Sequence, residues 1–485
     1  MFTSPLIKQP LGYIAGRWVG ADSGETAAVI NPADGKLLAR TPVMGADETT
    51  RAIEAAASAN RASASASIEQ RRQWLLTIAD LLNQHRDEIG RIVTLEHGKP
   101  LDEAKGEVDY AAGFFRYFGE HVEALGDVTL NDRPRGCRWT VHYRPAGVVA
   151  LITPWNFPIA MLAKKLAAAL AADCTCVIKP ASKTPLSVIA LFTIMEKINL
   201  PAGKVNLVMG SASAIGKTCC EHPAVRMISF TGSTEVGQKL LKMSAPHVKR
   251  LSLELGGNAP FVVFDDADLD VAADQLMTNK FRGAGQTCVC ANRVYVHRRV
   301  ADTFVAKVVS RANQLTVGNG MDDGVTLGPL IDGDAFSKVK RHVDDAVANG
   351  ASLIAGGVDH ESTGDWGNYF PPTVLIDVTD EMACAREETF GPVAPVLTFD
   401  DEGDLIERCN ATEFGLAAYV FTQGATRAAR VIPQLHFGHV GWNTGTGPTP
   451  EAPFGGMKHS GFGREGGREG MFEFVEPQTV PALDS

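Results

Sequence analysis

The stretch GVVALITPW, residues 147–155, has the composition of a buried strand and opens a run of alternating elements that ends at Gly257. Apolar runs of strand length alternate there with stretches of helical length. Strands are predicted at 174–180, 205–210, 226–232 and 250–257, and helices at 159–172, 185–198, 215–220 and 234–243. This alternation predicts an α/β fold with a doubly wound parallel sheet and helices on both faces. Strand ends in such sheets present loops to a ligand.

Two further regions lie on either side of this run. After residue 288 a second alternation, with strands near 294–296 and 393–398 and helices near 300–314 and 335–349, predicts a second α/β domain. Before it, residues 124–147 alternate apolar and polar side chains around Asn131 and Asp132, which is typical of a protruding β-hairpin. An exposed hairpin has an open edge, and this indicates an oligomer.

Composition excludes several classes of protein. The 485 residues carry a formal net charge of −10, which argues against a nucleic-acid partner. No signal peptide or membrane-spanning segment is evident. The nine cysteines are scattered and suit neither a disulfide framework nor a metal site, so a reducing cytoplasm is expected.

A glycine-containing motif follows one of the predicted strands. FTGSTEVG, residues 230–237, places Gly232 and Ser233 at the start of a helix, where a diphosphate could bind. The spacing is not that of the GxGxxG dinucleotide fingerprint. A plain turn before a surface helix is the alternative.

Two other segments carry side chains with chemical potential. In FRGAGQTCVC, residues 281–290, Cys288 is either an exposed nucleophile or a small buried side chain. In LELGGNAP, residues 253–260, Glu254 ends a strand and is either a general base or a solvated surface acid.

These motifs occur together with others, and in this order the sequence resembles the aldehyde dehydrogenase superfamily over nearly its whole length. The shared motifs are PWNFP at 154, KPAS at 179, FTGSTEVG at 230, LELGG at 253, GQTC at 285, EETFGPV at 387 and NTGTGPTPEAPFGG at 443. FRGAGQTCVC and APFGGMKHSGFGREGG are most similar to the succinate-semialdehyde dehydrogenase branch. The resemblance implies an NAD(P)-binding domain at 1–124 and 146–256, a catalytic domain at 257–458 and oligomerisation segments at 125–145 and 470–485. A homodimer or homotetramer is the usual assembly.

The resemblance also implies roles in catalysis. Cys288 would attack the aldehyde, and the Asn156 amide and the Cys288 N–H would hold the resulting oxyanion. Glu254 would activate the water that hydrolyses the thioester and help to deprotonate Cys288. Lys165 and Glu465 would form a proton relay behind Glu254; a structural salt bridge is the alternative.

A nicotinamide dinucleotide is the implied cofactor. Its expected ligands are Trp155, Lys179, Ser182, Gly232, Ser233, Leu255, Glu388 and Phe390. Glu388 would accept hydrogen bonds from the nicotinamide ribose; a helix-capping acid, like its neighbour Glu387, is the alternative. Many NAD-preferring relatives carry glutamate at the position of Ser182. Serine removes the repulsion of a 2′-phosphate, so NADP is favoured, with NAD or dual use as the alternative.

The expected substrate is a small anionic aldehyde, oxidised to its acid. Arg282 would hold the anion, with a paired surface arginine as the alternative. Lys164 stands where the branch has a second arginine, and it keeps the charge but loses the planar fork. Phe454 would line the pocket. Pro448 falls near a hydroxyl of the branch, so glutarate semialdehyde or a hydroxylated or sulfonated aldehyde competes with succinate semialdehyde.

Other interpretations remain open. Cys290 either packs or forms a reversible disulfide with Cys288, as in some relatives with CVC. Acyl transfer to coenzyme A is disfavoured by Glu254, which the relatives that use it lack. A non-catalytic member is disfavoured by the joint presence of Asn156, Glu254 and Cys288, and a thiol hydrolase lacks a recognisable histidine motif.

Overall fold

The computed structural model describes residues 2–62, 66–132, 134–358 and 368–483. In chain order the strands are β1 (Gly12–Ile14), β2 (Arg17–Val19), β3 (Thr26–Ile30), β4 (Leu37–Pro42), β5 (Val128–Thr129), β6 (Cys137–Pro145), β7 (Val148–Ile152), β8 (Thr175–Lys179), β9 (Val205–Leu207), β10 (Val225–Thr231), β11 (Arg250–Glu254), β12 (Ala259–Val263), β13 (Ala291–His297), β14 (Ser352–Ala355), β15 (Thr373–Ile376), β16 (Val393–Phe399), β17 (Phe414–Gly415), β18 (Ala417–Phe421), β19 (His439–Trp442), β20 (Met457–Lys458), β21 (Gly461–Phe462) and β22 (Val475–Leu483).

The α-helices are α1 (Ala46–Ala62), α2 (Ile68–Gln84), α3 (Arg86–His97), α4 (Leu101–His121), α5 (Pro158–Ala171), α6 (Leu186–Met195), α7 (Ala212–Glu221), α8 (Thr234–Ser244), α9 (Leu269–Lys280), α10 (Ala301–Ala312), α11 (Gly333–Ala348), α12 (Ala383–Arg386), α13 (Glu402–Asn410), α14 (Ala425–Val431) and α15 (Gly467–Phe472).

The first large sheet has the strand order β2-β1-β9-β8-β7-β10-β11-β21. Its five central strands, β9, β8, β7, β10 and β11, are parallel. The chain winds outward from β7 in one direction and then returns to continue from β10, so β7 and β10 flank the point at which the winding reverses. This is the doubly wound sheet that the alternation at 147–257 predicted.

Both faces of this sheet are covered, which explains the continuous apolar runs of its strands. Along β7, Val149 and Leu151 face a cluster built with α4, α5 and α6. Val148, Ala150 and Ile152 face the opposite cluster, built with α1, α7 and α8. Successive side chains of a strand point to opposite faces, so a strand buried on both sides has no polar alternation.

The second large sheet has the order β14-β15-β16-β13-β12-β18-β19, with β14 antiparallel and the others parallel. Its strands and flanking helices lie where the second alternation predicted them. Seven of the strands within 257–458 form this sheet, β17 and β20 pair with each other in a separate two-stranded sheet, and β21 joins the first sheet. The domain boundaries as such stay a prediction.

A small antiparallel sheet has the order β22-β6-β5. It contains the predicted hairpin, in which Val128 of β5 lies opposite Val141 of β6. The terminal strand β22 pairs along β6 of its own chain, from Val475 opposite Pro145 to Leu483 opposite Cys137. The expectation of intersubunit pairing for this strand therefore applies only to its outer edge. None of the helices in the described ranges is long and apolar enough to cross a bilayer.

Candidate active site

Three loops meet at the carboxyl edge of the first sheet. Strand β7 ends at Ile152 beside Phe230 of β10, and Thr231 of β10 lies beside Glu254 of β11. The loops that follow, 153–157, 232–233 and 255–257, carry five of the sixteen predicted site residues: Trp155, Asn156, Gly232, Ser233 and Leu255. Because β7 and β10 flank the reversal of the winding, these loops diverge and leave a crevice between them.

A cavity of about 260 Å³, here called the first cavity, occupies this crevice. It is lined by Pro154, Trp155, Asn156, Thr231, Gly232, Ser233, Leu255, Gly256, Cys288, Ala335, Lys338, Glu388, Thr389 and Phe390. Six of the eight side chains or glycines predicted to bind a dinucleotide are in this wall, and Ser233 caps α8 by accepting from the N–H of Val236. A helix N-terminus at such a crevice suits a phosphate.

The close packing of the wall explains two features of its sequence. A Cβ at position 232 would overlap the ring of Phe230, so glycine is needed there. Phe390 has a positive φ of 56°, which costs about 1–2 kcal/mol for an L-residue. Its ring meets that of Trp155 edge to face at 5.6 Å between centroids. The strained backbone therefore presents an aromatic wall to the first cavity, as a planar ligand requires.

The other two predicted cofactor ligands lie at the neighbouring strand end. Lys179 ends β8, and its buried Nζ donates to the carbonyl oxygen of Pro180 at 3.1 Å. Burial lowers the pKa of Lys179 to about 8. Ser182 is exposed, and its hydroxyl donates to Gly210 at 3.5 Å. Both residues border the same sheet edge but do not line the first cavity.

Glu387 and Glu388 point in different directions. Glu388 accepts from the N–H of Gly257 at 3.0 Å, and burial raises the pKa of its carboxyl to about 7. Glu387 pairs with Arg341 at 2.8 Å and His342 at 3.1 Å, and the hydrogen bond from Arg341 lowers its pKa to about 2. Glu387 is the C-cap residue of α12 through its backbone N–H, while its carboxylate binds side chains of α11. The capping alternative is wrong for Glu388, which accepts from a loop amide.

A second cavity, of about 290 Å³, lies on the other side of Cys288. It is lined by Glu103, Gly106, Glu107, Tyr110, Phe157, Met161, Lys164, Arg282, Thr287, Cys288, Val289, Thr446, Gly447, Pro448 and Phe454. All three predicted substrate residues, Lys164, Arg282 and Phe454, are in this wall. Cys288 lines both cavities, so a thiol stands where the two meet.

The loop that carries Cys288 has an unusual backbone. Gly283, Ala284 and Gly285 have successive positive φ values of 57°, 56° and 72°. This turn reverses the chain after α9 and delivers Cys288 between the cavities. Burial raises the pKa of the Cys288 thiol to about 12 against the opposing charge of Lys164. A neutral thiol is expected near pH 7, so nucleophilic attack requires a base.

Asn156 is buried, and only one of the two hydrogens of its side-chain amide donates to another described group. Its Nδ2 donates to the carbonyl oxygen of Gln286 at 3.1 Å, two residues before Cys288. An amide nitrogen has two hydrogens, so one remains for another acceptor. Its Oδ1 has no hydrogen-bond partner among the described residues.

Glu254 is 3% exposed, and neither of its carboxylate oxygens has a hydrogen-bond partner in the described part of the chain. Burial raises its pKa well above the ordinary value, and repulsion by Glu465 raises it further. Such a carboxylate is a stronger base than a solvated one.

Glu465 lies between two buried lysines. Its oxygens are 2.7 Å from Nζ of Lys164 and 2.5 Å from Nζ of Lys165, which also contacts Ser229 at 3.1 Å. Burial would raise the pKa of Glu465, but the two lysines outweigh it and lower the pKa. The predicted Lys165–Glu465 contact is present, and its charges act on Glu254.

The structure bears on three further expectations, two about the second cavity and one about Cys290. Lys164 is in its wall but is not a free cation, because Glu465 holds its ammonium group. In the loop with the uncertain hydroxyl, Thr446 lies in the wall two residues before Pro448, and its hydroxyl is 2.6 Å from that of Thr444. Cys290 is a buried free thiol that accepts from Nζ of Lys280 at 3.2 Å, so it has a polar partner rather than simple apolar packing.

Sequence reasoning missed one whole wall of the second cavity. Glu103, Glu107 and Tyr110 of α4 line it, and the Tyr110 hydroxyl has no partner among the described residues. The spacing i, i+4, i+7 places these three on one helical face, a signal present in the sequence LDEAKGEVDY. Polar residues on an otherwise apolar helix face therefore indicate that this face of α4 lines a polar cavity.

Two α/β sheets, a crevice at the reversal of the winding, and a thiol, an amide and a buried carboxylate beside it define a class of enzyme. A family model described as the aldehyde dehydrogenase family matches residues 18–480, and the chain belongs to that family. The predicted aldehyde dehydrogenase fold and an NAD(P)-dependent enzyme of this family are confirmed.

The chain is similar to several individual members. Succinate-semialdehyde dehydrogenase [NADP(+)] of Escherichia coli is 48% identical over 96% of this chain and 95% of its own. Glutarate-semialdehyde dehydrogenase of Pseudomonas aeruginosa is 47% identical over 96% and 95%, and 3-sulfolactaldehyde dehydrogenase of Pseudomonas putida is 48% identical over 98% and 97%. An oxidoreductase structure from Marinobacter aquaeolei is 60% identical, covers 99% of this chain and 100% of its own, and has a TM-score of 0.97.

Proposed function

We propose that this chain oxidises small aldehydes with a distal anionic group to the corresponding acids, with NADP as preferred cofactor and NAD as the alternative. One observation carries the proposal: Cys288 stands between the first cavity and a second cavity whose wall contains Arg282. The guanidinium of Arg282 has no carboxylate within 4 Å among the described residues. It is therefore available to a substrate anion.

The reaction starts at Cys288. Its thiol loses a proton to Glu254 and the sulfur attacks the aldehyde carbon, with the substrate's distal end in the second cavity. The free hydrogen of the Asn156 amide and the N–H of Cys288 stabilise the oxyanion. A bound nicotinamide supplies the hydride acceptor. The thioester then remains on Cys288.

Hydrolysis of the thioester needs a strong general base that is shielded from bulk solvent. Glu254 meets this need, since no described group competes for its oxygens and its pKa is raised by burial. Lys165 and Glu465 adjust the basicity of Glu254 through their charges, although neither hydrogen-bonds to its oxygens in the described structure. Transfer of the acyl group to water, rather than to coenzyme A, is therefore the proposed outcome.

The substrate class is supported by the relatives' names together with the second cavity. Succinate semialdehyde, glutarate semialdehyde and 3-sulfolactaldehyde all carry a carboxylate or sulfonate. Arg282 offers a planar fork for such a group, and the hydroxyls of Tyr110 and Thr446 are in the same wall. Lys164 is paired with Glu465, so it acts on the substrate anion through its charge and not as a direct ligand.

The NADP preference rests on the end of β8. The exposed Ser182 places no carboxylate there, and Lys179 has a single carbonyl partner that a 2′-phosphate would outcompete. Burial lowers the pKa of Lys179 to about 8, and a paired phosphate would raise this pKa and so favour the charged ammonium group.

A homo-oligomer in the cytoplasm is part of the proposal. All nine cysteines are free thiols, as suits a reducing compartment. The exposed Val480 and Leu483 on β22 support a second copy at the edge of the small sheet.

The test is a substrate panel without coenzyme A. Wild-type protein should reduce NADP faster than NAD with succinate semialdehyde. Arg282→Met should lower kcat/KM for this aldehyde at least tenfold, because a charge-assisted hydrogen bond contributes about 1.5–3 kcal/mol. For butanal, which lacks the carboxylate, kcat/KM of Arg282→Met should differ from that of the wild type by less than about twofold. This is the scale of a contact worth under about 0.5 kcal/mol.

Arg298→Met removes an exposed arginine paired with Asp400 and is the matched control. It should leave kcat/KM for both aldehydes unchanged. Equal losses for succinate semialdehyde and butanal in Arg282→Met would refute the anion site. Absence of cofactor reduction across the panel would refute the dehydrogenase.

A further inference from the structure

Lys99 is a buried lysine two residues before α4 that contacts the loop carrying Asn156. Its Nζ is 2.7 Å from Oε2 of Glu107 and donates to the carbonyl oxygen of Asn156 at 2.8 Å. It also lies 3.9 Å from the centroid of the Phe157 ring. One ammonium group thus contacts the backbone of the residue that carries the proposed oxyanion donor.

Glu107 extends this contact to the next helix. Its other oxygen, Oε1, accepts from the N–H groups of Ile159 at 3.0 Å and Ala160 at 3.2 Å. These are orphan donors of the first turn of α5, where a carboxylate is also favoured by the helix dipole. The Lys99–Glu107 pair therefore holds the 153–157 loop and the beginning of α5 together.

Stability alone does not account for a buried pair of this kind. Removing two charges from water is expensive, and apolar replacements of buried ion pairs are often neutral or stabilising. Both side chains are under 4% exposed. The acceptor that Lys99 satisfies belongs to the 153–157 loop, and the two N–H donors that Glu107 satisfies belong to the start of α5. The pair is thus directed at the position of Asn156.

We propose that Lys99 is a positioning residue that sets the Asn156 amide for oxyanion stabilisation, an inference that rests on the proposed function. Lys99 holds the Asn156 backbone from one side, and the Gln286 carbonyl holds Nδ2 from the other. Because the Asn156 backbone and one hydrogen of its Nδ2 are both held, the direction in which the second Nδ2 hydrogen points is fixed. Loss of Lys99 frees the loop and misplaces that hydrogen.

The test is a double-mutant cycle between Lys99→Met and Asn156→Ala, with succinate semialdehyde and saturating NADP. Loss of one oxyanion donor lowers kcat about 10²–10³-fold. Lys99→Met should lower kcat about 10–100-fold, since small misplacements have effects of this order, while KM changes less than about threefold. In the double mutant, kcat should equal that of Asn156→Ala alone, because no amide remains to be positioned.

Lys204→Met is the matched control. Lys204 is also buried and paired with an acid, Asp173, but it lies outside both cavities, so its loss should leave kcat within about twofold. Unfolding temperature and NADP binding, measured for each variant, report the fold. Should Lys99→Met not fold, Glu107→Gln replaces it in the cycle: it keeps the shape and weakens the hold on Lys99, and the same non-additivity is expected.

The outcomes separate the two proposals. If Asn156→Ala keeps its kcat, the oxyanion role in the proposed function fails. If Asn156→Ala loses kcat and Lys99→Met does not, or if the two losses multiply in the double mutant, the positioning role of Lys99 is overturned and the proposed function stands.

Discussion

Glu254 shows how one residue gains reactivity from what surrounds it. A carboxylate at a strand end is usually solvated, but β11 and β21 bury this one, and the described groups leave both oxygens without a hydrogen bond. Desolvation destabilises the charged form, and the charge of Glu465 adds to the effect, while Lys164 and Lys165 oppose it. Its basicity therefore depends on a balance among four buried groups.

The pH profile of kcat should report this balance. A general base works when deprotonated, so a raised pKa means that kcat increases with pH through a midpoint above the usual carboxyl range. Lys165→Met removes a cation that lowers the pKa of Glu254, so the midpoint should move to higher pH. An unchanged midpoint in Lys165→Met would contradict the coupling. In Glu254→Gln, kcat should fall at least about 10²-fold and the rising limb should disappear.

At the scale of elements, α4 and the loop after α9 act together. Glu103 of α4 accepts from the N–H of Gly283 at 2.8 Å, and this anchors the left-handed turn that delivers Cys288. Glu107 of the same helix, together with Lys99 two residues before the helix begins, holds the 153–157 loop and the start of α5. One helix from outside the two large sheets therefore sets the distance between the amide and the thiol.

Two glycines of this turn provide a matched pair of substitutions. A Cβ at Gly285 would overlap the carbonyl oxygen of Gly391, whereas a Cβ at Gly283 meets no atom within 4 Å. Both have positive φ, so Gly283→Ala should lower the free energy of unfolding by about 1–2 kcal/mol and keep most activity. Gly285→Ala should lose more stability and most of kcat, because the turn must shift. Equal effects, measured by thermal unfolding and initial rates, would show that backbone overlap is not decisive.

At the scale of the molecule, the small sheet is one of several sheets with an open edge, and most residues of its edge strand β22 are exposed. β22 ends one side of it, with Val480 41% exposed and Leu483 78% exposed. Exposed apolar strands at an edge are a recurrent site of pairing between chains. This sheet is therefore where a partner copy is expected to bind.

Sedimentation should give a mass that is a multiple of 51.8 kDa for the wild-type chain. Val480→Lys places a charge on the proposed contact and should shift the distribution towards single chains. Val347→Lys changes an equally exposed valine on α11 and should have no such effect. Retention of the wild-type mass by Val480→Lys would place the contact elsewhere.

The sequence by itself determined the doubly wound sheet, the second α/β domain and the hairpin. These features depend on local patterns, such as the fully apolar run of β7, that are read within a few residues. The positions of Glu254 and Asn156 at the crevice also follow from their motifs, because β11 and β7 end at one edge of a parallel sheet. Cys288 precedes β13 of the other sheet, so the fold alone places it between the cavities.

Only the tertiary structure decided which charges are free. Lys164 and Glu465 are 301 positions apart, and their pairing depends on the packing of α5 against the segment before α15. The same holds for Lys99 with Asn156, and for α4 as a wall of the second cavity. A motif specifies which side chain stands at a position, but a buried charge is neutralised by whatever the fold brings within a few ångströms, and no local pattern encodes that distance.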